Sequence, residues 1–179
     1  MPRLPRKLRL CLGLAALAAG SACAAPSALK PASAREAAAA PGPALAADLR
    51  KHRGQAVVVN FWATWCAPCV AELPHFVAAY EEFEPSGVQF VGVSLDFLDE
   101  REKTVEPFLR KHAIPYPNYI LNADQNAFLT LFPEEWSGAI PATFVYDRSG
   151  QLLAWRLQAL TREELDALIE ESLKRVGGS

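Results

Sequence analysis

Cys66 and Cys69 are the residues of this sequence whose types and spacing most directly suggest chemistry. They close the stretch Ala56-Val57-Val58-Val59-Asn60-Phe61-Trp62-Ala63-Thr64-Trp65-Cys66-Ala67-Pro68-Cys69. Its first part is apolar and β-branched, with the length and composition of a strand buried on both faces. After Pro68 the spacing turns helical, and Leu73, Phe76, Val77, Tyr80 and Phe83 fall on one stripe. Cys66 is therefore expected at a helix N-terminus, with Cys69 in the first turn. Free backbone N–H groups and the positive end of the helix dipole stabilise a thiolate there. A sulfur three residues further on can close a disulfide onto it, which makes a dithiol switch. Cys66 is the expected nucleophile: its thiolate attacks a partner disulfide, and Cys69 then attacks Cys66 to release the reduced partner. Pro68 stiffens the first turn, where its missing N–H costs little. Half of a structural zinc site is the competing reading of the pair. It needs two more cysteines, and Cys11 and Cys23 lie in a segment of targeting composition. His52, His75 and His112 show no ligand spacing and read as surface or packing residues. Neither a metal nor a bound cofactor is expected.

The remainder of the chain has to position these sulfurs. With 179 residues, 51% hydrophobic and 21% charged, one domain with a substantial core is expected. The first 23 residues stand apart from it. Arg3, Arg6, Lys7 and Arg9 precede a short apolar segment rich in Leu and Ala, and small residues follow, which reads as an export signal. A membrane span needs about 20 apolar residues, so an uncleaved anchor is the weaker reading. Gly20-Ser21-Ala22-Cys23 resembles a bacterial lipobox with Cys23 as the acylated residue, while Ala22-Cys23-Ala24 equally fits an ordinary cleavage site. Soluble and lipid-anchored forms both stay open. Once the signal is removed, the folded domain has only Cys66 and Cys69, so an exported domain carries this pair for chemistry rather than as one staple among several. Taking the four basic residues of the signal from 18 leaves 14 against 20 acidic ones, a formal charge of −6. No basic patch appears, which argues against nucleic acid as a partner.

Residues 24–43 are mostly Ala, Pro and Ser without an apolar period, and read as a disordered tether reaching roughly 60 Å at 3.1 Å per residue, or as a plain spacer. The folded domain is then 44–179. Residues 44–51 suit one or two helical turns closed by Gly54. Residues 88–94 form a second buried strand after the turn Pro85-Ser86-Gly87, and 102–112 have helical composition with Pro107 near the first turn. Residues 119–121 suit a short strand and 124–131 a short helix. Residues 142–147 and 151–155 flank Asp147-Arg148-Ser149-Gly150 as an antiparallel hairpin. Thr161-Arg162-Glu163-Glu164 is a capping box opening a last helix with the stripe Leu165, Leu168, Ile169 and Leu173.

Phe61-Trp62-Ala63-Thr64-Trp65-Cys66-Ala67-Pro68-Cys69 resembles the active site of the thioredoxin superfamily, and within it the extracytoplasmic thiol-disulfide oxidoreductases related to TlpA, ResA and CcmG. The order of elements agrees with a thioredoxin-like α/β sandwich, a central mixed sheet flanked by helices. Cys66 and Pro141 are 75 residues apart, and the extra segment 117–131 resembles the central insertion of the TlpA-like group. Val91-Gly92-Val93-Ser94-Leu95-Asp96 resembles that group and the peroxiredoxins equally. The resemblance implies roles for further residues. Asn60 stands where cytoplasmic thioredoxins carry a buried Asp that handles protons, and Asn cannot ionise. Glu72, three residues past Cys69 on the same helical face, matches a Glu of ResA-like proteins and is expected to accept the Cys69 proton; alone, a helical Glu reads as solvated. Pro74 removes the hydrogen bond to the Val70 carbonyl. Pro141 matches the family's cis proline facing the cysteines, with Ile140 ahead of it; the bland alternative is a trans proline at a strand start. Trp65, Ala67, Pro68 and Ile140 are the expected substrate-binding residues. Ala139 and Ala142 stand where the family usually has Gly and Thr, a departure that bears on substrate preference more than on fold. Trp62 and Trp65 are expected to shield the disulfide, Trp62 with a core role as alternative. Glu134-Glu135-Trp136 reads either as an acidic, aromatic rim or as a solvated loop with one packed Trp.

The leading expectation is an extracytoplasmic protein-disulfide oxidoreductase acting as a reductant. By resemblance its clients are exported protein disulfides, those of apocytochrome c or of a copper-site protein, and a membrane thiol donor keeps it reduced. A Cu(I)-binding chaperone of the same fold is the alternative from another class, although such proteins carry a wider cysteine spacing and a distal His. A peroxiredoxin-like peroxidase is the third, against which stands the setting Trp65-Cys66-Ala67-Pro68-Cys69.

Overall fold

The structure, a computed structural model, describes residues 37–40, 49–121, 129 and 132–175. The apolar run ahead of the cysteines forms β2, Ala56–Trp62, buried along its whole length. Side chains alternate across a strand. Val57, Val59 and Phe61 enter one apolar cluster, with Val91, Val93, Phe132, Trp136, Ala142 and Phe144. Ala56, Val58 and Trp62 enter the other. A strand clad on both faces belongs in the middle of a sheet.

That is its place. The sheet comprises β1 (Ala37–Ala40), β2, β3 (Val88–Ser94), β4 (Asn118–Leu121), β5 (Ala142–Tyr146) and β6 (Leu152–Arg156). Their spatial order is β1-β4-β3-β2-β5-β6. The ladders from β1 through β4 and β3 to β2 are parallel, while β5 and β6 run antiparallel. This is the expected mixed sheet of a thioredoxin-like fold. β1 amends the sequence reading, because these four residues of the expected tether instead pair with β4 in parallel, from Ala37 on Asn118 to Ala40 on Leu121. The rest of 24–43, the expected signal with Cys23, and most of the expected helix 124–131 lie outside the described residues.

One face of the sheet carries α1 (Ala67–Phe83) and α3 (Arg162–Lys174), whose Leu73, Phe76, Ala79, Leu165, Leu168 and Ile169 fill the core between them. An ion pair from Arg162 to Glu82 ties the two helices at the surface, and Arg162 also pairs with Asp166 within α3. The capping box of α3 is complete: Thr161 Oγ1 accepts from the Glu164 N–H, and Glu164 accepts from the Thr161 N–H. The expected helix 102–112 divides in two. A π-helical turn, Arg101–Val105, leads into α2, Glu106–Lys111, which places Pro107 in a first turn, where a missing N–H is harmless. In the hairpin between β5 and β6, Asp147 Oδ1 accepts from the N–H groups of Ser149 and Gln151, and Gly150 supplies the positive φ of 82°.

Gly92, at the centre of β3, pairs with Asn60 on β2. A Cβ here would lie 1.9 Å from Asn118 Oδ1, the atom that accepts from Trp62 Nε1 at 3.0 Å. Gly92→Ala is expected to displace this buried amide and lower stability by about 1–3 kcal/mol, read as a lower denaturant midpoint with an unchanged slope.

Candidate active site

Leaving β2, the chain turns through Ala63-Thr64-Trp65 and enters α1 with Cys66 as its N-cap. Cys66 Sγ accepts from the Cys69 N–H at 3.4 Å, so one of the helix's free N–H groups is aimed at the sulfur. The two cysteines are joined by a disulfide, with Cα atoms 5.3 Å apart. Cys66 is 6% exposed and Cys69 fully enclosed, so an incoming sulfur can reach Cys66 alone. Asp96 fixes the turn. Its carboxylate accepts from the Thr64 N–H at 3.0 Å and hydroxyl at 2.6 Å, and from the Ser94 hydroxyl at 2.6 Å. No role for Asp96 was legible from sequence, although Ser94-x-Asp96 at a strand end is the pattern of a side chain that bonds its neighbours' backbone.

Around the disulfide the expected residues part company. Trp65, Ala67 and Pro68 are exposed beside Cys66. Trp62 is core, with its indole N–H on Asn118 and its ring against Phe108. Ile140-Pro141 is a cis peptide, as the resemblance implied, and stands directly before β5. Since Phe61 pairs with Ala142, Pro141 and Cys66 emerge at the same end of the sheet. Trp136 takes the bland reading of its loop: it is buried against Phe61, Phe132 and Phe144 and donates to the Ala139 carbonyl, while Glu134 and Glu135 are exposed.

Glu72 is not solvated. It is 1% exposed on the core side of α1, one turn past Cys69. Oε1 accepts from Asn60 Nδ2 at 3.0 Å, and Oε2 accepts from the Leu160 N–H at 2.8 Å. Burial pushes its pKa up from the ordinary 4.5, and the Leu160 N–H, the Asn60 amide and the charge of His75 oppose that rise. Asn60 also donates to Thr143 Oγ1 at 3.2 Å, so β2, α1, β5 and the approach to α3 meet at one carboxyl. His75, expected only to pack, has Nδ1 2.9 Å from the Leu160 carbonyl; the ring donates there, and both ends of that residue's backbone are held by α1. Tyr116 is buried nearby in the fold's core, and burial and the charge of Glu72 both push its hydroxyl pKa up. Sequence reasoning could not find Leu160, whose contribution is a backbone N–H.

A carboxyl whose pKa is raised by folding stabilises the native state below its unfolded pKa, and that contribution is lost as pH rises through the folded value. The disulfide form has no thiols at these positions to titrate with it. Its stability is therefore expected to fall above about pH 4.5, and Glu72→Gln to flatten that part of the curve, measured by denaturation at a series of pH values.

Residues 39–154 match the family model described as the AhpC/TSA family. The chain is 30% identical over 124 residues to the thiol-disulfide oxidoreductase ResA of Geobacillus kaustophilus, a match spanning 68% of this chain and 66%, just under two thirds, of that relative. It is 27% identical over 120 residues to the sporulation thiol-disulfide oxidoreductase A of Bacillus subtilis, covering 67% of this chain and 70% of that one. Among solved structures it resembles a thiol:disulfide interchange protein of the thioredoxin family from Chlorobium tepidum, with a TM-score of 0.60, 26% identity, and coverage of 69% and 83% of the two chains. StoA from Bacillus subtilis superposes with a TM-score of 0.53 at 25% identity, over 65% and 83%. With a family match over residues 39–154 and a thioredoxin-like sheet, the chain belongs to the AhpC/TSA family.

Proposed function

We propose that this protein is a thiol-disulfide oxidoreductase acting outside the cytoplasm, where it reduces the disulfides of exported proteins. The observation that carries the reading is the asymmetry of the Cys66–Cys69 pair at the head of α1, one sulfur reachable and the other enclosed. In the reduced protein the Cys66 thiolate attacks one sulfur of a client disulfide; that S–S bond breaks and its other sulfur leaves as a thiolate. Glu72 takes the proton of Cys69, and the resulting sulfur anion attacks Cys66. The mixed disulfide opens, the second client thiolate departs, and two electrons have passed to the client. A membrane thiol donor then returns the pair to the dithiol. Trp65, Ala67, Pro68 and Ile140 serve as the client-contacting residues, and Pro141 acts with the cysteines; the exposure of Trp65, Ala67 and Pro68 and the cis Ile140-Pro141 bond support this reading.

The basic n-region and apolar segment at the N-terminus support export, with Cys23 as the residue for lipid attachment. Among the described residues, no helix is long and apolar enough to cross a membrane. The domain organisation is read as export signal 1–23, linking segment and folded domain, the last extending forward to include β1. In this reading its clients lie on the route to cytochrome c or copper-site assembly, and the resemblance of Phe61 to Cys69 to the TlpA-, ResA- and CcmG-related group is what supports that choice.

The reduction potential of the Cys66–Cys69 pair tests direction. A value below about −220 mV is expected for a reductant, and one near −120 mV overturns that reading. Cys69→Ser is expected to trap the mixed disulfide with a model client and Cys66→Ser to abolish it, seen by non-reducing electrophoresis. Glu72→Gln should slow exchange by about 10²-fold between pH 6 and 8, and an unchanged pH–rate profile would remove Glu72 from the mechanism.

A further inference from the structure

Asn60 is satisfied on one side only. Its Nδ2 donates to both Glu72 Oε1 and Thr143 Oγ1, while its Oδ1 is buried without a hydrogen-bond partner. An orphaned amide oxygen in a core is costly, and rotating the amide would exchange its oxygen and nitrogen at almost no steric expense. With an ionised Glu72 that rotation is forbidden, because the oxygen would face a carboxylate. With a protonated Glu72 it is favoured.

We propose that the Asn60 amide is a rotating partner that serves both protonation states of Glu72: its Nδ2 faces the carboxylate, and its Oδ1 turns to accept from the carboxylic acid. The proposal rests on the reading of Glu72 as the acceptor of the Cys69 proton. When the proton moves from Cys69 Sγ to Glu72 Oε1, the electron pair left on sulfur forms the bond to Cys66, and the new O–H of Glu72 needs an acceptor. Asn60 Oδ1 supplies it. Thr143 follows without moving, since a hydroxyl that accepted from Nδ2 can donate to Oδ1. The Leu160 N–H cannot reverse, so Oε2 stays with it and the proton belongs on Oε1.

The other groups acting on Glu72 do not share this property. His75 on α1 lends positive charge; its ring is committed to the Leu160 carbonyl and also faces Glu163. Tyr116, ahead of β4, feels the charge of Glu72, and its hydroxyl makes no hydrogen bond to it. Asn60 on β2 and Thr143 on β5 are the pair that can reverse together, the amide from donating to accepting and the hydroxyl from accepting to donating. An Asp in place of Asn60 would set a second carboxyl against the first, and a Leu would leave each state short of a bond. Asn60 is thus a positioning residue that keeps a buried carboxyl able to gain and lose a proton.

The test follows the side-chain amide of Asn60 by ¹⁵N–¹H NMR and the Glu72 carboxyl by ¹³C NMR in the reduced full chain, from about pH 4 to 10. The two signals are expected to shift with one midpoint, and the Asn60 signal to stay fixed in Glu72→Gln. A Glu72 carboxyl that titrates while the Asn60 amide stays still overturns the proposal, as does a Glu72 that does not titrate. If the amide and carboxyl titrate together but Glu72→Gln leaves the rate profile unchanged, the amide rotation stands and the proton-acceptor role fails.

Discussion

A carboxyl group inside an apolar core is the constraint on which this structure turns. Glu72 cannot be buried without hydrogen-bond donors, and no single element provides two. One comes from the middle of β2 and the other from the backbone just ahead of α3. Satisfying Glu72 therefore brings the active-site helix, the central strand and the C-terminal helix into register around one side chain. Packing of Leu73, Phe76, Leu165 and Ile169 supplies the bulk of the attraction, but apolar contacts tolerate small slips that a pair of hydrogen bonds at 2.8 and 3.0 Å does not.

The site divides its chemistry by access. Cys66 lies at the mouth, where helix N–H groups favour its thiolate, and the Asp96 clamp on Thr64 holds the turn that presents it. Cys69 lies inside, one turn of helix from the buried carboxyl of Glu72. Exposed residues flank the first sulfur, and buried polar ones, Glu72 and Asn60, lie on the side of the second. One turn of α1 separates the reachable sulfur from the enclosed one.

Much of this was legible in the sequence because it rests on period. The β-branched run gives β2, the helical stripe gives α1, and the capping box opens α3 where Thr161 stands. What the sequence concealed follows from groups without a pattern. The stripe containing Cys69, Phe76 and Ala79 also passes through Glu72, and composition alone places such a residue in water; only the donors on other elements reverse that. Leu160 contributes a main-chain N–H that any residue would offer. Ala37–Ala40 has no alternation and poor strand propensity, so its pairing is imposed by the open edge of β4 rather than by its own side chains. Trp136 was open between rim and core, and the cluster of Phe61, Phe132 and Phe144 decided it.

β1 has a mechanical consequence. It joins the sheet at its outer edge through a four-residue ladder to β4, and β4 and β3 stand between it and β2. Tension applied to the chain from the N-terminal side is therefore met first by that short ladder, whose rupture leaves the ladders of β2 with β3 and β5 intact. An edge strand of this kind gives way as a local opening event, separate from the unfolding of the core. The geometry at Cys66 and Glu72 is in this way insulated from a pull on the chain ahead of β1.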